Sequence, residues 1–580
     1  MIDFFGEGKP ALSRTRSLTI VAQDPTISVS SADPRILTGV TAIPNERFLP
    51  GPRGSRFHVV DIDLSSGKAG PASVMADGAD PAPDPVALAA VSGVFDAQAR
   101  AQNLFGVAAR TLARFEQDLG RRVPWSFDGH QLYLVPEAMA EAQAYYDPPT
   151  RSILFGAYGG DANGKGRVFT ALSHDVVAHE TTHAILDGLR HRFTEPALPD
   201  QLAFHEAFAD IVALLSVFSL KGVPARLLDR VGVGDWLPSE LVTDDALARS
   251  PLFGLAEQLG TTSPDHHGDA LRRSVSLPPL TTYLADPAYQ EAHARGEILV
   301  AAVARTFLLI WSRRLETLHQ KGMAISADRA AEEGAKSAEH LLTMCIRAID
   351  WTPPIDLAFG DFLDGILAAD RQVAPDDEHD YRGTLAEAFA SYGITGSPAI
   401  DVDTSTPAGR LDYAGLHLDE LKTHRDEVFH FIWDNATALG LHTDYYLSVE
   451  SVVPARRVGP DGFVVYESAA AYVQLLDGPV ANVAKLAESQ GKALRIPEGL
   501  DPSTRIQIQG GGALIFDEFG RAKAHQRKAI FDWDRQSDRL ASLVARGIVD
   551  SRGQFGFSSG RTLGEEFRLL HRADDDAERW

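Results

Sequence analysis

Apolar positions recur at helical spacing through the middle of this chain and at alternating positions toward both ends. Residues 17–66 carry the β-prone runs S-L-T-I-V-A and F-H-V-V-D-I-D-L between proline and glycine punctuation, which predicts a small β-rich unit over residues 1–70. Residues 71–85 gather Pro71, Pro81, Pro83 and Pro85 in a polar span, the composition of an exposed linker. Leu104, Ala108, Leu112, Phe115 and Leu119 then repeat at helical spacing, with Gly120 behind them as a C-cap, so an amphipathic helix opens the next unit. The pattern turns strand-like from Gln131 to Gly156. It becomes helical again from Ser173 and stays so, with interruptions, to A-E-A-F-A-S-Y-G-I ending at Ile394. That defines a central unit over 86–395, a second linker over 396–407 and a mixed α+β domain of unknown role over 408–580. In the last of these, Gly510 to Gly512 predict the turn of a hairpin. No internal repeat of fixed period is present.

Composition narrows the partners. With 580 residues the chain exceeds a single core, and its formal charge of -24, unrelieved by any basic run, argues against nucleic acid and anionic membrane surfaces. The N-terminal residues M-I-D-F-F-G-E-G-K-P lack the features of a secretory signal, so a cytoplasmic protein is expected. The apolar stretches Ile211 to Leu220 and Ile298 to Trp311 are short for a membrane crossing and read as buried helices. Cys345 is the only cysteine, which leaves metal binding to histidines and carboxylates.

The chemistry gathers in D-V-V-A-H-E-T-T-H-A. His179 and His183 stand four apart, on one face of a helix, where two imidazoles can grip one metal ion, while Glu180 projects about 100° away. Apolar Val176, Val177, Ala184 and Ile185 flank the pair, as a buried helix requires; an exposed charged turn would lack them. In F-H-E-A-F-A-D, Glu206 supplies a third ligand and Asp210, one turn on, a carboxylate able to orient a ligand histidine. Three protein ligands leave zinc an open position for water, whose pKa falls toward about 7, and Glu180 is placed to act as general base.

An H-E-x-x-H helix followed by E-x-x-x-D resembles the thermolysin-like neutral metallopeptidases among the gluzincins. The likeness extends to Gln143-Ala144-Tyr145-Tyr146, to L-F-G at 154–156, to Asp175-Val176-Val177 and to the final A-F-A-S-Y-G-I. It implies a zincin catalytic domain with a β-containing upper lobe and a helical lower lobe, one Zn2+ per chain on His179, His183 and Glu206, Glu180 as base and Asp210 behind His179. It also implies that Gln143, Ala144 and Tyr145 form an edge strand that binds extended peptide through its backbone. The family's oxyanion histidine corresponds to His293 in E-A-H-A-R-G-E-I, with His266 and His267 as rivals. Departures include His205 where asparagine is usual before the third ligand, and L-R-H-R-F-T where the family has a tyrosine, a space then expected for Phe193. The family's calcium-binding acids are missing after Asp210, so calcium is not expected.

Other signals are weaker. Gly556 to Gly560 matches a nucleophile-elbow pattern without room for a triad behind it, and His424, His430 and His442 read as dispersed surface or core histidines. The expected activity is zinc-dependent endopeptidase action on peptide or protein substrates, with the C-terminal domain available to a protein partner. The alternatives are a catalytically weak or inactive binding protein on the same fold, and a zinc hydrolase of a non-peptide amide.

Overall fold

The computed structural model describes residues 15–22, 36–63, 67–70, 72–74, 84–92, 95–159, 167–230, 234–237, 274–320, 324–396, 400–401, 411–459 and 462–549. His266, His267, Gly556 to Gly560 and most of both expected linkers lie outside them. The architecture is mixed α+β.

At the N-terminus β1 (Thr15–Val21) and β2 (Thr38–Pro44) form an antiparallel hairpin. β3 (Phe57–Val59) follows, then β4 (Ile62–Asp63) and β5 (Lys68–Ala69), and then α1 (Pro85–Ser92) and α2 (Ala97–Leu119). Asp96 caps the start of α2 by accepting from Ala99 N, and Gly120 ends it in the left-handed region at φ 67°. The central sheet contains β6 (Leu132–Met139), β7 (Ala144–Asp147), β8 (Ser152–Gly159) and β9 (Arg167–Phe169). Its order is β3-β6-β8-β7, with β9 on the far end of β8. The sheet thus crosses the expected boundary near residue 70: Phe57 to Val59 pair in parallel with Leu132 to Leu134. Phe57 and Val59 are buried in the same core as α2.

The helical layer runs through α3 (His174–Leu189), α4 (Pro199–Phe218), α5 (Gly222–Arg230), α6 (Ala292–Gln320), α7 (Ala327–Ala348), α8 (Phe359–Val373) and α9 (Tyr381–Ser391). One continuous core reaches from Leu18 to Ile394. Pro199 at the first position of α4 has no N–H to leave unsatisfied. This helix is the one described helix apolar and long enough to cross a membrane by composition, and 89% of its apolar window is buried inside the protein.

The remaining chain builds a five-stranded antiparallel sheet in the order β10-β14-β13-β12-β11, from β10 (Ile400–Asp401), β11 (Tyr446–Val458), β12 (Val464–Pro479), β13 (Arg505–Phe516) and β14 (Ala522–Lys528). Its helices are α10 (Arg425–Asp434), α11 (Val480–Ser489) and α12 (Trp533–Ala545). β10 lies inside the segment expected to be a linker and pairs with β14. Gly510 to Gly512 do not turn the chain; they lie in the middle of β13. There a Cβ on Gly511 would meet Tyr472 O at 2.5 Å, and one on Gly510 would meet Ile530 at 2.8 Å, so closeness of neighbours, not a bend, calls for glycine.

This sheet is docked on the central unit. Ala469, Ile515 and Ala524 pack on Trp351 and Ala369, and Arg192 bridges to Glu450 at 2.7 Å. Asp350, fully buried, takes Arg121 through two hydrogen bonds of 2.6 and 2.7 Å and Arg457 of β11 at 2.9 Å.

Candidate metal centre

α3 and α4 pack side by side and carry all three expected ligands. Ser173 precedes α3 and its hydroxyl donates to Asp175 in the first turn at 2.8 Å. Thr181 and Thr182, buried at the helix centre, each donate to the carbonyl four residues back at 2.7 Å, which allows hydroxyls in an apolar layer. His179, His183 and Glu206 are buried, and one ligand atom from each falls within 4.8 Å of the other two. The two Nε2 atoms are 2.8 Å apart, and Glu206 Oε2 lies 3.7 and 3.6 Å from them.

The donor set fits a divalent cation of the zinc class. Metal–ligand bonds of about 2.0–2.2 Å in a tetrahedron imply ligand–ligand edges of about 3.3–3.6 Å, and two of the three edges here match while the two imidazoles need to part slightly. His179 Nδ1 donates to Asp210 Oδ1 at 2.8 Å, which turns its Nε2 toward the cluster. Burial opposes a charge on His179, but Asp210 outweighs it and holds the imidazole well above its ordinary pKa. His183 is pushed well below by burial. The two Nε2 atoms lie within hydrogen-bond reach of each other, and a cation held between them would displace any proton they share.

His205, treated in the sequence only as a departure, stands behind the second ligand. Its Nδ1 lies 2.8 Å from His183 Nδ1, and the rings stack at an interplanar angle of 17°. One nitrogen must donate and the other accept, so a proton on His183 Nδ1 leaves His183 Nε2 for the metal. The signal available in the sequence was its place directly before Glu206, on the helix that faces α3.

Glu180 is fully buried, and its Oε2 accepts from Tyr146 N at 2.8 Å. Tyr146 is in turn held by its hydroxyl, which donates to Asp187 Oδ2 at 3.1 Å, and Ser126 donates to the same oxygen at 2.6 Å. β7 is the edge strand of its sheet, and strand alternation sets the N–H and C=O of Ala144 on the same outer edge as Tyr146 N–H. The carbonyl of Gln143 is taken by Gly156 N at 2.8 Å, and Tyr145 pairs toward β8. Of the three residues expected to touch an extended peptide, Ala144 is the one whose backbone faces outward.

His293 lies in the first turn of α6, with Nε2 3.5 Å from Glu206 Oε2 and Nδ1 3.1 Å from Glu291 Oε1. Burial works against its charge, but Glu206 and Glu291 prevail and raise it to about 9. Its side chain is 26% exposed, between a buried ligand and the surface. Phe193 is fully buried, meets Phe204 edge to face at 5.6 Å and belongs to the core. An apolar ring gains more from that contact than from a polar cleft. His424, His430 and His442 are all exposed.

Comparison of the chain with protein families and with curated proteins returns no match.

Proposed function

We propose that this chain is a zinc-dependent endopeptidase of thermolysin-like architecture. The observation that carries the reading is the convergence of His179, His183 and Glu206, with Asp210 behind the first, Glu180 beside them and His293 across from them. A divalent cation on those three side chains supplies Lewis acidity toward a carbonyl oxygen and toward water. Glu180 takes the proton of the attacking water and returns it to the leaving amine. The Tyr146 N–H holds the Glu180 carboxylate in one orientation. Ala144 aligns an extended peptide along the free edge of β7. His293 donates toward the oxygen on which charge develops, an interaction stronger in the transition state than before it.

A second reading is a binding protein with little turnover on the same fold. It is favoured by the stretch L-R-H-R-F-T, which has no tyrosine hydroxyl where the resemblance would want one. Cleavage of a fluorogenic peptide library, run beside elemental analysis of the purified chain, separates the two. Endopeptidase action requires bound zinc and cleavage, with Glu180→Gln retaining the metal and losing about 10²- to 10⁴-fold in rate. Unchanged cleavage in that variant discards the mechanism, and zinc without cleavage favours the second reading.

A further inference from the structure

A cavity of about 170 Å³ opens between β2, α2, α4 and α7, away from the metal cluster. On α4 its lining residue Ser216 follows Glu206 by ten residues, about 15 Å along the axis at 1.5 Å per residue. Three charged residues line it: Arg110, Arg114 and Glu339. The Arg110 guanidinium is held by neutral groups: it donates to Ser216 O at 3.0 Å, to Ser216 Oγ at 2.8 Å and to Ser219 Oγ at 2.7 Å, and lies 3.4 Å from His174 Nε2. Among the described residues no carboxylate pairs with it, and burial lowers its pKa to about 10, with Arg114 adding repulsion and Glu339 some attraction. Glu339 also faces the cavity, and among the described residues its carboxylate has no ion pair. Arg114, the second cation of the lining, is committed to Asp118 at 2.6 Å and to the Glu339 carbonyl at 2.7 Å.

A cation and an anion that line one cavity without reaching each other are matched by a molecule that carries both complements. Val212 and Leu342 give the same cavity an apolar wall. A cavity of about 150 Å³ accommodates a six-carbon ring, so a molecule of about six heavy atoms fits. We propose that this cavity binds a small zwitterion of the α-amino-acid class, its carboxylate on Arg110, its ammonium on Glu339 and its side chain against Val212 and Leu342. Planar two-pronged recognition of carboxylate is what a guanidinium provides and a lone ammonium group does not. The site is independent of the metal cluster.

The test is calorimetric titration of the full chain with L-alanine, acetate, methylammonium and inorganic phosphate. L-alanine is expected to saturate and to bind at least about tenfold tighter than either half-ligand. Glu339→Gln is expected to bring alanine down to the level of acetate, and Arg110→Gln to remove both. Because Arg110 also ties α2 to α4, Glu339→Gln, whose side chain holds no other element in place among the described residues, decides the matter if the arginine variant misfolds. No saturable alanine signal, alanine affinity unchanged in Glu339→Gln, or phosphate binding tighter than alanine would each overturn the proposal.

Discussion

Asp350→Asn tests what couples α3 to the C-terminal sheet. Asp350 is fully buried and receives Arg121 at the end of α2 and Arg457 from β11, while Arg190, the residue after α3, donates to the neighbouring Ile349 carbonyl at 2.9 Å. Burial alone would raise the Asp350 carboxyl, but Arg121, Arg457 and Arg190 overcome it and hold the pKa near 2, against 3.8 unperturbed. That separation corresponds to roughly 2 to 3 kcal/mol at about 1.36 kcal/mol per pH unit. Removing the charge also leaves Arg457, 1% exposed, without its partner, and breaking a buried pair costs about 3 to 5 kcal/mol. Glu467 lies 3.3 Å from Arg457 and softens that loss, which places the expected cost near 3 kcal/mol. A folded-state pKa below the unfolded one stabilises the fold above pH 3.8 and ceases to do so as pH falls through about 2. Urea unfolding followed by tryptophan fluorescence, with Trp351 at the interface, reads the effect. The gap between parent and variant should be about 3 kcal/mol at pH 7 and about half that at pH 3. A gap under about 1 kcal/mol, or one equal at both pH values, refutes the reasoning.

His205→Ala should weaken zinc about 10- to 100-fold in a competition titration, with His205→Asn recovering most of it because an amide oxygen also accepts from His183 Nδ1; equal affinity in all three proteins would remove His205 from the site. His293→Ala should lower kcat roughly ten- to a thousandfold with zinc content unchanged, and an unaltered rate would take it out of catalysis. Gly511→Ala should lower the midpoint of thermal unfolding, by roughly 1 to 3 kcal/mol in free energy, because its methyl would press on Tyr472 O; an unchanged midpoint would mean the strands shift freely.

What the sequence determined by itself was whatever a single helix or strand repeats: the amphipathic α2 with its Gly120 cap, the i, i+4 histidines of α3, and Glu206 and Asp210 one turn apart on α4. These rest on local periodicity, which backbone geometry dictates within a few residues. The tertiary structure alone decided the rest. It brought His293 to Glu206 across the intervening chain and stacked His205 on His183. It sent Phe193 into the core and enrolled Phe57 to Val59 in the central sheet. Glycines that read as a turn became the thin middle of β13 because Tyr472 and Ile530 crowd it from either side. Buried charges such as Asp350 and Arg457 sit 107 residues apart, and no local pattern reports a pairing that exists only because both were removed from water together.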